Sequence, residues 1–277
     1  MHRRQTSIEA AIRMAESDPG AYKAVRGLSR GLAVLRALNA RPGGIGSVLE
    51  LARATGIHRT TVKRLLETLR NEGLVQHRDD GSVYALTFEV RRLAEGYVGS
   101  DWIDRVALPA MRSHHRHLAW PSDLATPDGT VMLVRESTHR DSLLSQHRAT
   151  IGFRIPMLVS ALGRAWLAHC GDQQREATLA LLRTRDDAAG ALARDVRQVG
   201  RLLALTRRRG YGSNAGEWGQ EAHVSAIALP ILQHDVAIAA INLVFLRDAI
   251  SEQAIRERYL PGLRVLAQEI STGLAGP

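Results

Sequence analysis

At 277 residues and 45% hydrophobic content, the chain is long enough for two domains, each with its own core. It contains no run of 18 or more apolar residues, and the stretch MHRRQTSIEAAIRMAESDPG has no long apolar segment, so neither a membrane helix nor a secretory signal is expected and the cytoplasm is the expected location. The single cysteine, Cys170, excludes an intramolecular disulfide and a cysteine zinc site, and its neighbours RAWLAHC predict a buried, inert thiol.

The formal charge of +9 is unevenly placed. Residues 21–78 carry eleven Lys and Arg against the acids Glu50, Glu67 and Glu72, a local excess of +8. A polyanion partner is the physical reading, because each neutralised phosphate releases counterions. The preference for Arg over Lys reflects composition bias, but bias does not explain the localisation.

In chain order, residues 1–21 read as a tail ending at the breaker SDPG. LSRGLAVLRALNA then spaces Leu28, Leu32, Leu35 and Leu38 as one helical face, with Ser29 as the expected cap and RPGGIG as the stop. SVLELARATG predicts a short second helix capped by Ser47, and Thr55-Gly56 turn the chain into GIHRTTVKRLLETLRNEGLV, a third helix. LVQHRDDGSVYALT holds two strand-like runs around Asp79-Asp80-Gly81, the signal of a tight hairpin. Three helices and a hairpin over 22–87 make a winged helix-turn-helix. FEVRRLAEGYVGS puts Val90, Leu93, Ala94 and Tyr97 on one face, which predicts a linker helix over 88–100.

From 101 to 277 helices and strands mix, giving an α+β chain overall. DWIDRVALPAMRSHHRHLAW reads as helix, SDLATPDGTVMLVRES as a hairpin around Pro127-Asp128-Gly129, and SALGRAWLAHC as helix, with further helices near 172–183 and 191–209. VSAIALPIL and VAIAAINLVFL, separated by QHD, read as adjacent buried strands, and SEQAIRERYLPGLRVLAQEIS as a closing helix interrupted or restarted at Pro261.

The basic segment carries the functional reading. Ala52, Gly56 and Val62 stand at the spacing a helix-turn-helix requires: a small residue where helices meet, a turn, and an apolar contact. Val62, Leu65, Leu66 and Leu69 form the inward stripe of the third helix, which turns Arg59, Thr60, Lys63, Arg64 and Glu67 outward. Such a face suits the major groove, where Arg and Lys reach guanine edges or phosphates and Thr reaches phosphate or a thymine methyl. Candidate contacts to a double-stranded DNA operator are therefore Ser47, His58, Arg59, Thr60, Thr61, Lys63 and Arg64, with Arg78 on the wing and Arg26 and Arg30 on the first helix as phosphate contacts.

Together with YKAVRGLSRGLAVLRALN, VRESTHRDSLLSQHR, IPMLVSALGRAWLA and RGYGSNAGEWGQEAHVSAIALPIL, these blocks resemble the IclR family of transcriptional regulators over residues 22–274. Their wording is most similar to members that activate (hydroxyphenyl)propionate catabolism. The resemblance implies a winged helix-turn-helix, a linker helix, a GAF-like effector-binding domain, and homodimers or tetramers on DNA.

Other signals read as structure. GLSRG matches the G-x-S-x-G nucleophile elbow, but basic YKAVR before it is a poor buried strand and Ser29 serves better as a cap. His114, His115 and His117 in SHHRH lack an HExxH pattern or a nearby carboxylate, and no Walker or dinucleotide glycine pattern is present. No cofactor, metal or catalysis is expected.

A helix start near Ser160 predicts free N–H groups and a positive dipole end suited to a carboxylate, with Arg148 and Arg154 shortly before it. The resemblance further nominates Ala161, Gly163, Glu217, Ala226 and Asn242 as lining residues, with Trp218 as an aromatic wall. Family members that carry Cys in place of Ala226 and Ser in place of Asn242 and Val244 weaken any transfer of small keto-acid ligands. An aromatic carboxylic acid fits better. The expected function is an effector-controlled DNA-binding activator of aromatic-acid catabolism that recruits RNA polymerase. The alternatives are a repressor answering to a keto acid and a hydrolase-like enzyme.

Overall fold

The computed structural model describes residues 25–78, 83–96, 102–145, 150–217, 222–247 and 249–274. The chain divides into two compact units, 1–98 and 99–277.

In the first unit, α1 (Arg26–Asn39) leads through a 3-10 turn (Pro42–Gly44) to β1 (Ile45–Ser47), α2 (Val48–Thr55) and α3 (Arg59–Asn71), followed by β2 (Val75–Arg78), β3 (Val83–Leu86) and α4 (Glu89–Arg92). β3 lies between β1 and β2, antiparallel to both. The strand β1 was not legible, since Ile45 and Gly46 fall in a stretch that reads as a helix stop and Ser47 reads as the cap of the next helix. Its Ser47 caps α2 in a reciprocal box: the hydroxyl accepts from the Glu50 N–H, and the Glu50 carboxylate accepts from the Ser47 N–H at 2.8 Å. These contacts, the Ser47 N–H first, hold the Glu50 carboxyl below its ordinary value. Gly56 ends α2 at φ +70°, a left-handed conformation that a β-carbon would strain.

The core of this unit is Val34, Leu35, Leu38, Leu51, Val62, Leu66, Val75 and Tyr84, with Ala52, Leu65 and Leu69 partly buried against it. The expected stripe on α1 needs correction: Leu28 and Leu32 are exposed, because only the C-terminal half of the helix meets α2 and α3. Ser29 does not cap the helix either. It lies inside the first turn, where its hydroxyl donates back to the Val25 carbonyl. The linker helix is shorter than predicted among the described residues: α4 is one turn, held by an Arg92–Glu89 pair, and gives way to a turn through residue 96. The hairpin tip at Asp79-Asp80-Gly81 and Tyr97 fall outside the described residues.

The second unit begins with a π-turn (Ile103–Ala107) that runs into α5 (Leu108–Leu118). β4 (Asp123–Asp128), β5 (Val131–Ser137) and β6 (Arg154–Pro156) precede α6 (Ala161–His169), α7 (Asp172–Arg183), α8 (Ala188–Arg194) and α9 (Val196–Arg209). Then come β7 (Gly212–Ala215), β8 (Val224–Gln233), β9 (Val236–Leu246), α10 (Glu252–Ala254), a second π-turn (Ile255–Tyr259) and α11 (Leu260–Gly273). Both π-turns stand just before a proline at the start of a helix, Pro109 and Pro261, whose missing N–H cannot continue the regular ladder. The expected helix over 191–209 is two helices, because Asp195 leaves the helical conformation and caps α9 through the Gln198 N–H at 2.9 Å.

The sheet is antiparallel in the order β6-β5-β4-β9-β8-β7. QHD makes a two-residue hairpin in which His234 and Asp235 both take positive φ, as the twist of β8 and β9 requires. Alternation divides these strands between two cores. Ala226, Ala228 and Ala240 face α6, while Ile227, Leu229, Ile231, Ile241 and Leu243 face α5 and α11. The small residues let α6 approach, and α6 is buried along almost its whole length, including Arg164.

Candidate functional site

On the first unit, α3 presents Arg59, Thr60, Lys63 and Arg64 as exposed side chains, with Thr61 half-buried. His58 stands at the N-cap position of α3, its Nδ1 2.9 Å from the Thr60 hydroxyl. Ser47, Val48 and Leu49 at the start of α2 line one groove together with Arg59, Thr60 and Lys63 of α3 and His77 and Tyr84 of the wing. Arg78 is exposed at the end of β2, and Arg26 and Arg30 are exposed on α1. The structure therefore gathers Ser47, Arg59, Thr60 and Lys63 around one groove. Ser47 enters it through the cap of α2, where its backbone and hydroxyl are already engaged by Glu50.

Glu67 departs from the expected outward face. It is half-buried and accepts from the Tyr84 hydroxyl and from Arg70 Nε at 2.9 Å, with His77 Nε2 at 3.3 Å. The Tyr84 hydroxyl, and then Arg70, hold its carboxyl below the ordinary value. Burial, and then the Glu67 carboxylate, push the Tyr84 phenol up to about 12. An acid on the basic helix thus fixes the wing to it.

On the second unit, a recess on the α6 side of the sheet is lined by Ser160, Ala161, Ala226 and Asn242 of the nominated residues. Its cavity volume is about 60 Å³, with an open mouth beyond it. Ala226 and Val244, paired across β8 and β9, form its floor, and exposed Phe153 supplies an aromatic side chain.

Several expectations about this site are corrected. The first turn of α6 is not a row of free donors: Ser160 accepts from the Gly163 N–H at 3.1 Å and Asn214 from the Ala161 N–H at 3.2 Å. Gly163 packs rather than lines, since a β-carbon there would collide with the Met157 carbonyl. Arg154 is exposed and paired with Asp128 on the β4–β5 hairpin, so it does not reach the recess. Glu217 lies in a neighbouring recess, tied to Arg164 at 2.9 Å and to the Ala215 N–H. Burial opposes its charge, but these donors hold it below the ordinary value. Arg148 and Trp218 lie outside the described residues.

In the polar wall of the recess, sequence reasoning nominated Asn242 and missed Asp123, His139 and Thr150. Asp123, His139, Thr150 and Asn242 all line it and are all buried. Thr150 donates to Asp123 Oδ1 at 2.8 Å, His139 Nε2 stands 3.4 Å from Oδ2, and Asn242 Oδ1 accepts the Asp123 N–H at 2.6 Å. Burial works against charge on Asp123, but His139, Thr150 and Ser137 outweigh it and keep the carboxyl below its ordinary value. These residues are scattered over more than a hundred positions, so no local motif announces them.

The chemical decoys resolve as structure. Ser29 sits in a helix rather than on a strand-to-helix elbow, and His114 bonds within α5 and faces Glu269 at 3.6 Å. Among the described residues no group of three or more His, Cys, Asp and Glu could hold a metal, and none of the helices is long and apolar enough to cross a membrane. Cys170 is buried, and burial pushes its thiol up.

Residues 27–79 match the IclR helix-turn-helix domain, and residues 96–272 match the bacterial transcriptional regulator IclR C-terminal domain. The chain is 26% identical over 265 residues to the glycerol operon regulatory protein of Streptomyces coelicolor, spanning 90% of this chain and 96% of that one. It is 25% identical over 251 residues to the p-hydroxybenzoate hydroxylase transcriptional activator of Acinetobacter baylyi, spanning 89% and 90%. Among solved structures, an IclR homologue of Microbacterium hydrocarbonoxydans complexed with 4-hydroxybenzoate superposes with a TM-score of 0.58 at 25% identity, covering 91% of this chain and all (100%) of that one. The Thermotoga maritima IclR superposes at 0.63 and 18% identity, covering 91% and 99%, and shares the fold.

Proposed function

Because the chain belongs to the IclR family of bacterial transcriptional regulators and binds DNA as they do, we propose that it is the activator of an aromatic-acid catabolic operon, switched by a small aromatic carboxylic acid held in the recess beside α6. The observation that carries this reading is the recess itself: an apolar floor of Ala226 and Val244, the aromatic side chain of Phe153, and the polar groups of Asn214 and Asp123 on strands β7 and β4. A ring fits such a floor, and the amide of Asn214 beside the N-terminus of α6 is suited to the carboxylate. The names of the Acinetobacter activator and of the 4-hydroxybenzoate-bound homologue support the same ligand class.

On DNA, α3 enters the major groove, Arg59 and Lys63 read base edges, and Arg78, Arg26 and Arg30 neutralise phosphates. Two or four copies of the chain bind paired half-sites, and the effector changes either operator affinity or contact with RNA polymerase. Calorimetry on the full chain tests the ligand class. The amide or methyl ester of a bound aromatic acid is expected to bind at least about tenfold more weakly, the loss of one charge-assisted contact. If pyruvate or glyoxylate binds and no aromatic acid does, the aromatic reading fails while the regulator remains.

A further inference from the structure

The two ends of the recess differ in chemistry. Asn214 lies on β7 and Asp123 on β4, with β8 and β9 between them, a separation of roughly 14 Å between strand backbones. One end therefore offers the Asn214 amide and the start of α6. The other offers a buried carboxylate. A ligand lying across the Ala226 floor meets both.

The bonding of Asp123 shows what that end would take. A carboxylate accepts about four hydrogen bonds. Oδ1 takes Thr150 at 2.8 Å, Ser137 also donates to the carboxylate, and Oδ2 is met by two long contacts, His139 Nε2 at 3.4 Å and Asn242 Nδ2 at 3.5 Å. Oδ2 thus keeps capacity for a short bond from a strong donor. A second anion placed there would meet a charge that the low-dielectric wall does not screen.

Resting on the reading of the recess as an aromatic-acid site, we infer that Asp123, positioned by His139, Thr150 and Asn242, selects ligands that carry a hydroxyl at the end remote from their carboxylate. The effector is then a hydroxylated aromatic acid, bound by its acid at Asn214 and by its phenol at Asp123. Aromatic dicarboxylates are disfavoured by repulsion. Unhydroxylated acids bind but leave Oδ2 with only its two long contacts.

Calorimetry on the full chain compares acids in pairs: 4-hydroxybenzoate with benzoate, and 3-(4-hydroxyphenyl)propionate with 3-phenylpropionate, since the spacer sets which length spans the recess. In at least one pair the hydroxy acid is expected to bind about fivefold or more tightly, as a hydrogen bond to a charged group implies. Benzene-1,4-dicarboxylate is expected to bind more weakly than benzoate. Asp123→Asn should shrink the hydroxyl preference and relieve the penalty on the dicarboxylate; the wild-type pairs decide the matter if that variant does not fold. Equal affinities within both pairs would overturn the role of Asp123 and leave the aromatic-acid reading standing. Binding of none of the aromatic acids would overturn both.

Discussion

Tyr84 on the central wing strand donates its phenol to Glu67 on the basic helix α3, and His77 of the neighbouring strand approaches the same carboxylate. The tilt of the wing against α3 is therefore set by an acid in the middle of a basic surface. Removing it would free both elements to move.

Tyr84→Phe is expected to keep the fold, because the ring stays in the core, and to weaken operator binding roughly three- to tenfold through loss of one charge-assisted bond. The pH dependence has a definite sign. The folded phenol ionises near 12, above its ordinary value of 10.0, so its contribution is complete below the ordinary value and is lost as pH rises through the folded one. Denaturation of wild type should steepen across that alkaline window more than that of Tyr84→Phe. Parallel curves would contradict the link.

Arg59→Ala and Lys63→Ala change exposed side chains, so melting temperatures should hold while operator affinity falls by about 1–3 kcal/mol where a base contact is lost. Arg78→Ala should weaken operator and random DNA about equally. Undiminished binding by both α3 variants would sink the recognition-helix assignment, and a loss confined to one base position would show the wing reading sequence.

Gly163→Ala drives a methyl into the Met157 carbonyl, where backbone rather than a flexible side chain must give. A loss of roughly 1–3 kcal/mol or more is expected in denaturant unfolding of the effector domain. Wild-type stability with weakened ligand binding would instead return Gly163 to the lining of the site.

A footprint of the full chain should show protected half-sites about 10 base pairs apart, or a multiple, matched by a dimer or tetramer in sedimentation. A monomer protecting a single half-site would contradict the paired arrangement.

Much of this molecule was legible because its signals are local. The Ser47 cap, the Gly56 turn, the Val62–Leu66 stripe and the strands flanking QHD all follow from spacing within a few residues. The recess was legible only at Ser160, Ala161, Ala226 and Asn242, and those came largely through resemblance. Its polar wall joins Asp123 to Asn242 across adjacent strands, a pairing that register alone creates. Arg154 and Glu217 were misplaced for a related reason: each finds a nearer opposite charge, Asp128 and Arg164, that sequence distance hides. Leu28 and Leu32 fit the helical period yet stay exposed, since periodicity identifies a face but not whether another element covers it.

The most direct measurement is fluorescence anisotropy of the full chain on its operator and on random DNA at physiological salt, with and without 4-hydroxybenzoate. The operator is expected to bind on the order of a thousandfold more tightly than random sequence. The aromatic acid is expected to shift operator binding about fivefold or more, or, for an effector acting on polymerase recruitment, to switch transcription from the operator in a purified assay, with pyruvate doing neither. Operator binding and transcription unmoved by any aromatic acid, but moved by pyruvate or glyoxylate, would contradict the proposed control.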